Sequence, residues 1–284
     1  MERPRARAYA PAPVSAREER FTAPGLNGVT LRALHRGDPH RPTLVLLHGG
    51  GANAHWWDHI APRLAPGFHV VALDFRGHGD SDYPEERRPG AFRHDLEALI
   101  EHLGTTRPVL VGHSLGGHVA LDHAARGGKA RAIVAIDVVR GGGQRERRAT
   151  RLALAASRSY RTREEAIARY RFLPPAPNAS ESLRYHVAYH SVRRLPDGRF
   201  GFKFDSRWFA IPPAPRAPLE AIAAPTLVIR GADSTLLTQE GAEAYVADIP
   251  RARLAVVEGA GHNVHLERPD EFFEAVEGFL REVA

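Results

Sequence analysis

Short runs of apolar, largely β-branched residues alternate along the chain with stretches whose apolar positions recur at helical spacing. The runs at 43–47, 69–75, 109–111, 132–138, 226–230 and 254–257 predict strands buried on both faces, and an antiparallel pair is expected within 21–34. Between them the 3.6-residue period predicts helices over 54–64, 91–103, 115–125, 239–248 and 269–283. In the last of these, Pro269 suits a first-turn position and Asp270 and Glu271 suit the N-terminal dipole. Strands alternating with helices in this way predict βαβ units around a mostly parallel sheet.

The alternation breaks between residues 139 and 218. Gly141-Gly142-Gly143 opens this stretch, helical patterns follow at 145–159 and 164–172, Asp197-Gly198 suggests a hairpin, and Pro212-Pro213-Ala214-Pro215 closes it. A structureless loop of that length is improbable in a compact domain, so a mainly helical insertion is expected. The predicted organisation is a flexible arm over 1–20, a core formed by 21–138 and 219–284, and the insertion at 139–218.

Composition narrows the chemistry. The 284 residues suffice for one domain with a sizeable core, and the 43% hydrophobic and 25% charged fractions are those of an ordinary globular protein. There is no cysteine, which removes disulfides, thiolate catalysis and thiolate-held metals. No apolar run reaches membrane-spanning length, and no apolar signal core follows Met1, so a cytoplasmic location and no membrane partner are expected. The net charge of +6 comes almost wholly from arginines spread along the chain. With no aromatic-interleaved basic motif or DNA-reading module, they are read as solvated surface, and no nucleic-acid partner is expected.

Chemistry-bearing residues collect at predicted strand ends. Gly112-His113-Ser114-Leu115-Gly116 fits G-x-S-x-G where the strand at 109–111 gives way to a helix. A sharp turn there would hold the Ser114 hydroxyl clear of the backbone, and only glycine fits beside so close a chain reversal. His48-Gly49-Gly50-Gly51 follows the strand at 43–47 and can turn backbone N–H groups toward an oxyanion, although a plain Gly-rich turn is the competing reading. Asp233 follows the strand at 226–230, where it can orient a histidine or merely start a turn, and Asp137, just after the apolar run at 133–136, rivals it. His262, in Gly259-Ala260-Gly261-His262, stands out among sixteen histidines by its place after the last strand, which completes the chain order Ser114, Asp233, His262.

Together with Asp74-Phe75-Arg76-Gly77-His78-Gly79-Asp80-Ser81, these motifs make the chain similar to the α/β-hydrolase superfamily from residue 21 onward. The resemblance implies an eight-stranded, mostly parallel sheet flanked by helices, with a mainly helical cap after the sixth strand. It implies Ser114 as nucleophile, His262 as base and Asp233 as orienting acid, with oxyanion donors from Leu115 and from Gly50 or Gly51. The motif beginning at Asp74 is expected to shape a turn, and His113 to pack away from the serine.

A carboxylesterase-like, cofactor-free hydrolase acting on a small-molecule ester is the expectation, as monomer or homodimer. Carbon–carbon bond hydrolysis, lactonase and thioesterase activities use the same machinery, and a non-catalytic ligand-binding protein is the alternative of another class. Relatives that open epoxides carry Asp in place of Ser114, which sets that chemistry aside. Gly51, His55, Trp56 and Trp57, beside or just past the oxyanion loop, are the candidate substrate contacts. No metal site is expected: His186 and His190 could share a helix face, but H-E-x-x-H is not matched.

Overall fold

In a computed structural model, residues 16–140, 152, 158–211, 215 and 217–283 are described. The strands are β1 (Arg17–Phe21), β2 (Leu31–Arg36), β3 (Thr43–Leu47), β4 (His69–Asp74), β5 (Val109–His113), β6 (Ala132–Ile136), β7 (Val192–Arg194), β8 (Phe200–Phe202), β9 (Thr226–Gly231) and β10 (Ala252–Val257). The helices are α1 (Ala61–Leu64), α2 (Ala91–His102), α3 (Leu115–Ala125), α4 (Arg163–Arg169), α5 (Glu181–His190), α6 (Gln239–Asp248), α7 (Val264–Glu267) and α8 (Pro269–Val283).

Eight strands form one sheet in the order β1-β2-β4-β3-β5-β6-β9-β10. β2 runs antiparallel to both neighbours, and every other pair is parallel. The central strands are apolar on both faces because helices cover both. One core cluster joins Leu96, Leu99 and Val119 of α2 and α3 to one sheet face, and the other joins Trp57, Phe272 and Val276 to the opposite face. The C-terminal ends of the parallel strands thus open at one edge, where α/β sheets place their ligands.

Three expectations change. The edge strand β1 begins at Arg17, so the last residues assigned to a flexible arm are paired, Arg17 with His35 through Arg20 with Arg32. The helix expected over 54–64 is a 3-10 turn at Ala54–Trp57 followed by the short α1. Asn53 caps that turn by accepting from the His55 N–H, and Pro62 lies at the start of α1, where its missing N–H costs nothing. Helix α5 adds to the helical patterns expected in the insertion, its N-terminal end capped by the Ser180 hydroxyl.

Between β6 and β9 the described residues form α4, α5, the β7–β8 hairpin and a 3-10 turn at Ser206–Ala210, none of them in the main sheet. Phe172, Leu183 and Val187 of this insertion pack with Trp56 and Leu266 of the core. The Gly141–Gly143 entrance, most of the 145–159 pattern and the prolines at 212–214 lie outside the described residues.

Candidate active site

The turn that carries Ser114 is built by its glycines. Ser114 joins β5 to α3 at φ +50° and ψ −109°, a conformation that side chains rarely adopt. A Cβ on Gly112 would fall on the Gly116 carbonyl, one on Gly116 would fall on the Leu47 carbonyl, and one on Gly117 would meet Val138 Cγ2 at 2.5 Å. The Ser114 N–H is fixed by the Ile136 carbonyl at 2.8 Å, and its own carbonyl accepts from the His118 N–H at 2.9 Å. Leu115, Gly116 and Gly117 therefore begin α3 with N–H groups that the helix does not use.

The glycine loop leans on this turn. A Cβ on Gly49 would sit 2.8 Å from His113 Nδ1 and 3.5 Å from Ser114 Cβ. His48 holds the loop from below: its Nδ1–H donates to the Gly49 carbonyl at 2.7 Å, and its Nε2 accepts from the Phe75 N–H at 3.2 Å. Burial pushes the His48 imidazole down to about 4, so it stays neutral and keeps one donor and one acceptor.

His262, nearly buried, sits on the loop after β10. Its Nδ1 lies 2.8 Å from Asp137 Oδ1, not against Asp233. Asp137 is fully buried immediately after β6 at φ +45°, and its carboxylate also accepts from the Ser234 hydroxyl at 2.6 Å and the Gly231 N–H at 3.0 Å. Three donors on one carboxylate fix its orientation.

Asp233 is exposed, and its backbone N–H bonds the Ala260 carbonyl. The expectation for Asp233 is thereby corrected. In the Gly231-Ala232-Asp233-Ser234 turn it is Ser234 that points inward, and β6 lies between β5 and β9, so Asp137 starts one strand nearer the serine. Gly231 lets the two loops touch, since a Cβ there would collide with the Gly261 carbonyl.

His113 does more than pack. Its Nε2–H donates to the His262 carbonyl at 2.9 Å, tying the strand that leads to Ser114 to the loop that carries His262, and burial holds it well below the ordinary imidazole range. The motif after β4 shapes its turn as expected. Asp74 accepts from the Ala54 N–H at 2.6 Å, the Asp80 N–H at 3.0 Å and Arg32 Nη1 at 3.1 Å, while Ser81 Oγ donates to the Asp74 carbonyl at 2.6 Å.

Ser114 and His262 open into one cavity of about 400 Å³, also walled by Gly49, Gly50, Leu115 and His118. Its apolar walls come from both parts of the fold: Trp56, Phe92 and Leu236 from the core, Leu173, Trp208 and Phe209 from the insertion. Of the expected substrate contacts, Trp56 lines it. Gly51, His55 and Trp57 are absent from its described lining. Trp57 is fully buried and stacks on His265 at 4.5 Å, Gly51 turns the loop at φ +77°, and the His55 ring faces Asp58. The structure also brings His186 and His190 beside His55 and Asp58, with His186 meeting Asp58 across 128 residues of chain, a grouping that spacing alone does not reveal.

Comparison with known proteins places this arrangement. The model of the alpha/beta hydrolase family matches residues 44–275. Esterase Rv0045c of Mycobacterium tuberculosis is 30% identical over 251 residues, 84% of this chain and 83% of its own. The 2-succinyl-6-hydroxy-2,4-cyclohexadiene-1-carboxylate synthase of Serratia proteamaculans is 29% identical over 262 residues, 88% of this chain and 97% of its own. The solved structure of E-2-(acetamidomethylene)succinate hydrolase, 24% identical, superposes with a TM-score of 0.80 over 94% of this chain and 99% of that one, a likeness of fold. The chain belongs to the alpha/beta hydrolase family.

Proposed function

We propose that the protein is a serine hydrolase that cleaves carboxylic esters of small molecules through an acyl-enzyme, with Ser114 as nucleophile, His262 as base and Asp137 as orienting acid. The observation that carries this reading is the 2.8 Å contact of His262 Nδ1 with the buried Asp137 carboxylate, in a histidine whose cavity is shared with Ser114. With its Nδ1–H held by the carboxylate, His262 presents Nε2 as the basic nitrogen.

Ser114 Oγ attacks the ester carbonyl while His262 Nε2 takes its proton. The oxyanion collects hydrogen bonds from the Leu115 and Gly50 amides, each worth on the order of 3 kcal/mol to the transition state. His262 then protonates the departing alkoxide, and water repeats the sequence on the acyl-enzyme. Gly50 is preferred to Gly51 because it lies in the cavity wall.

Residues 139–218 act as a cap, since Leu173, Trp208 and Phe209 close the cavity from that side. Apolar walls and a volume of about 400 Å³ suit a short to medium acyl chain with little charge. The esterase relative supports ester chemistry, and the serine supports it over epoxide opening. Among the described residues no helix is long and apolar enough to cross a membrane.

The test is turnover of p-nitrophenyl esters, thioesters and lactones by wild type and Ser114→Ala, with mass-spectrometric mapping of a fluorophosphonate adduct. Ester turnover lost in the variant, with the adduct on Ser114, is the expected result. Equal inertness of both proteins would leave a ligand-binding protein, and equal activity would remove Ser114 from the chemistry.

A further inference from the structure

Outside the catalytic cavity, four side chains with metal-ligating atoms converge where the insertion meets the core. His55 and Asp58 lie three apart at the 3-10 turn after the glycine loop, and His186 and His190 lie four apart on α5. One ligand atom from each lies within 4.8 Å of the other three. Asp58 Oδ2 is the hub, 2.8 Å from His55 Nδ1 and 2.9 Å from His186 Nε2. The His190 ring stacks on His55 at 3.9 Å and leans on His186 at 4.6 Å.

We propose that His55, Asp58, His186 and His190 bind one divalent transition cation, with Zn²⁺ the best fit, and that the ion fastens α5 to the turn beside the catalytic cavity. Three imidazoles and one carboxylate are a donor set for zinc, nickel or copper, whereas magnesium and calcium take oxygen ligands. In a tetrahedral zinc site with bonds near 2.0–2.1 Å, neighbouring ligand atoms lie about 3.4 Å apart. The separations here, from 2.8 Å to at most 4.8 Å, bracket that value, so small ring rotations complete the site.

The surroundings hold the ligands in place. Arg36 Nη2 donates to Asp58 Oδ1 at 2.6 Å with both side chains buried, which directs Oδ2 toward the histidines. Because Arg36 also offsets the carboxylate charge, neutral imidazoles carry the affinity, and this favours transition metals over hard cations. His55 and His186 bind as their other tautomers, each moving its proton to the far ring nitrogen. His55 then gives up its 3.1 Å contact with Arg32 Nη2, and Arg32 retains Glu18 and Asp74.

The location gives the ion a consequence. Trp56, between His55 and Asp58 in the chain, lines the catalytic cavity, and Asn53 at the start of the same turn donates to Ser191 Oγ just after α5. Zinc would thus lock the insertion at a second point beside the substrate wall.

The experiment uses untagged, chelator-treated full-length protein, titrated calorimetrically and melted with ZnCl₂ or MgCl₂, and titrated with CoCl₂ by visible absorption. Expected are one Zn²⁺ per chain, a rise in Tm with Zn²⁺ and none with Mg²⁺, and intense visible bands of tetrahedral Co²⁺. His190→Gln and Asp58→Asn should weaken Zn²⁺ by about tenfold or more, and His262→Ala should leave it unchanged. Should those two variants fail to fold, the wild-type Co²⁺ spectrum decides, tetrahedral bands supporting the site and their absence overturning it. Absence of stoichiometric Zn²⁺ binding, or binding kept in His190→Gln and lost in His262→Ala, overturns the proposal.

Discussion

Ser234 Oγ donates at 2.6 Å to Asp137 Oδ1, the same oxygen that faces His262 Nδ1 at 2.8 Å. One buried oxygen therefore links the turn after β9 to the histidine, and the acid itself stands one strand away. Asp137→Asn should lower kcat on a p-nitrophenyl ester by about 10⁴-fold, because an amide lets the imidazole settle in the wrong tautomer. Asp233→Asn, at an exposed site, should stay within about a factor of two. A large loss in the second variant and none in the first would move the acid back to β9.

In the proposed mechanism Ser234 acts by positioning Asp137. A hydrogen bond to a charged group contributes about 1.5–3 kcal/mol, so Ser234→Ala should lower kcat by roughly tenfold to a hundredfold while KM changes little. Circular dichroism checks that the variant is folded, and Ser234→Thr, which keeps the hydroxyl, should recover part of the rate.

The nucleophile turn makes a packing prediction. A Cβ at Gly116 would run into the Leu47 backbone carbonyl, which as part of a central strand cannot give way, whereas nothing lies within 4 Å of one at Gly25. Gly116→Ala should lose at least about 2 kcal/mol in urea unfolding together with activity, and Gly25→Ala should change neither.

These contrasts mark what the chain discloses as a sequence. Central strands such as β3 and β6 are legible because both faces are buried, which forces an unbroken apolar run. That Ser114 and His262 meet at one cavity is legible because glycine neighbours are needed for close backbone approach. The carboxylate beside His262 is not, because Asp137 and Asp233 each end a strand, and burial of one and exposure of the other depends on how Ser234 turns inward. Tertiary contact alone joins His55 and Asp58 to His186 and His190, and Trp57 is drawn into the core by His265 rather than into the cavity.

Acid should loosen the fold through two buried histidines near the site. Burial lowers His48 to about 4 and, together with its neighbour His48, lowers His78 to about 3. Both folded-state values lie below the unfolded value of about 6.5, so below pH 6.5 the unfolded chain takes up protons that the folded one refuses. Their contribution is complete above pH 6.5 and falls by about 1.4 kcal/mol per pH unit for each histidine down to about pH 4. Thermal melts from pH 8 to 4.5 should show this decline, shallower in His78→Gln than in wild type. Parallel curves would show that His78 titrates in the folded state as it does in the unfolded chain.

Phe209 sets the reach of the cavity on the insertion side. Its ring packs over Gly50, with Cε1 3.1 Å from where a Cβ would stand, so the wall facing the acyl group and the oxyanion loop touch directly. Phe209→Ala removes that ring and leaves the backbone donors alone. Each methylene newly buried contributes about 0.8 kcal/mol, roughly fourfold in kcat/KM. A cavity lengthened by two methylenes should therefore shift the ratio of octanoate to hexanoate turnover by about fifteenfold toward octanoate, because the enlarged wall stabilises the transition state of the longer chain. If the ratio stays fixed while both rates fall together, Phe209 supports the loop instead of bounding the acyl pocket, and chain length is selected at Trp56 or Trp208.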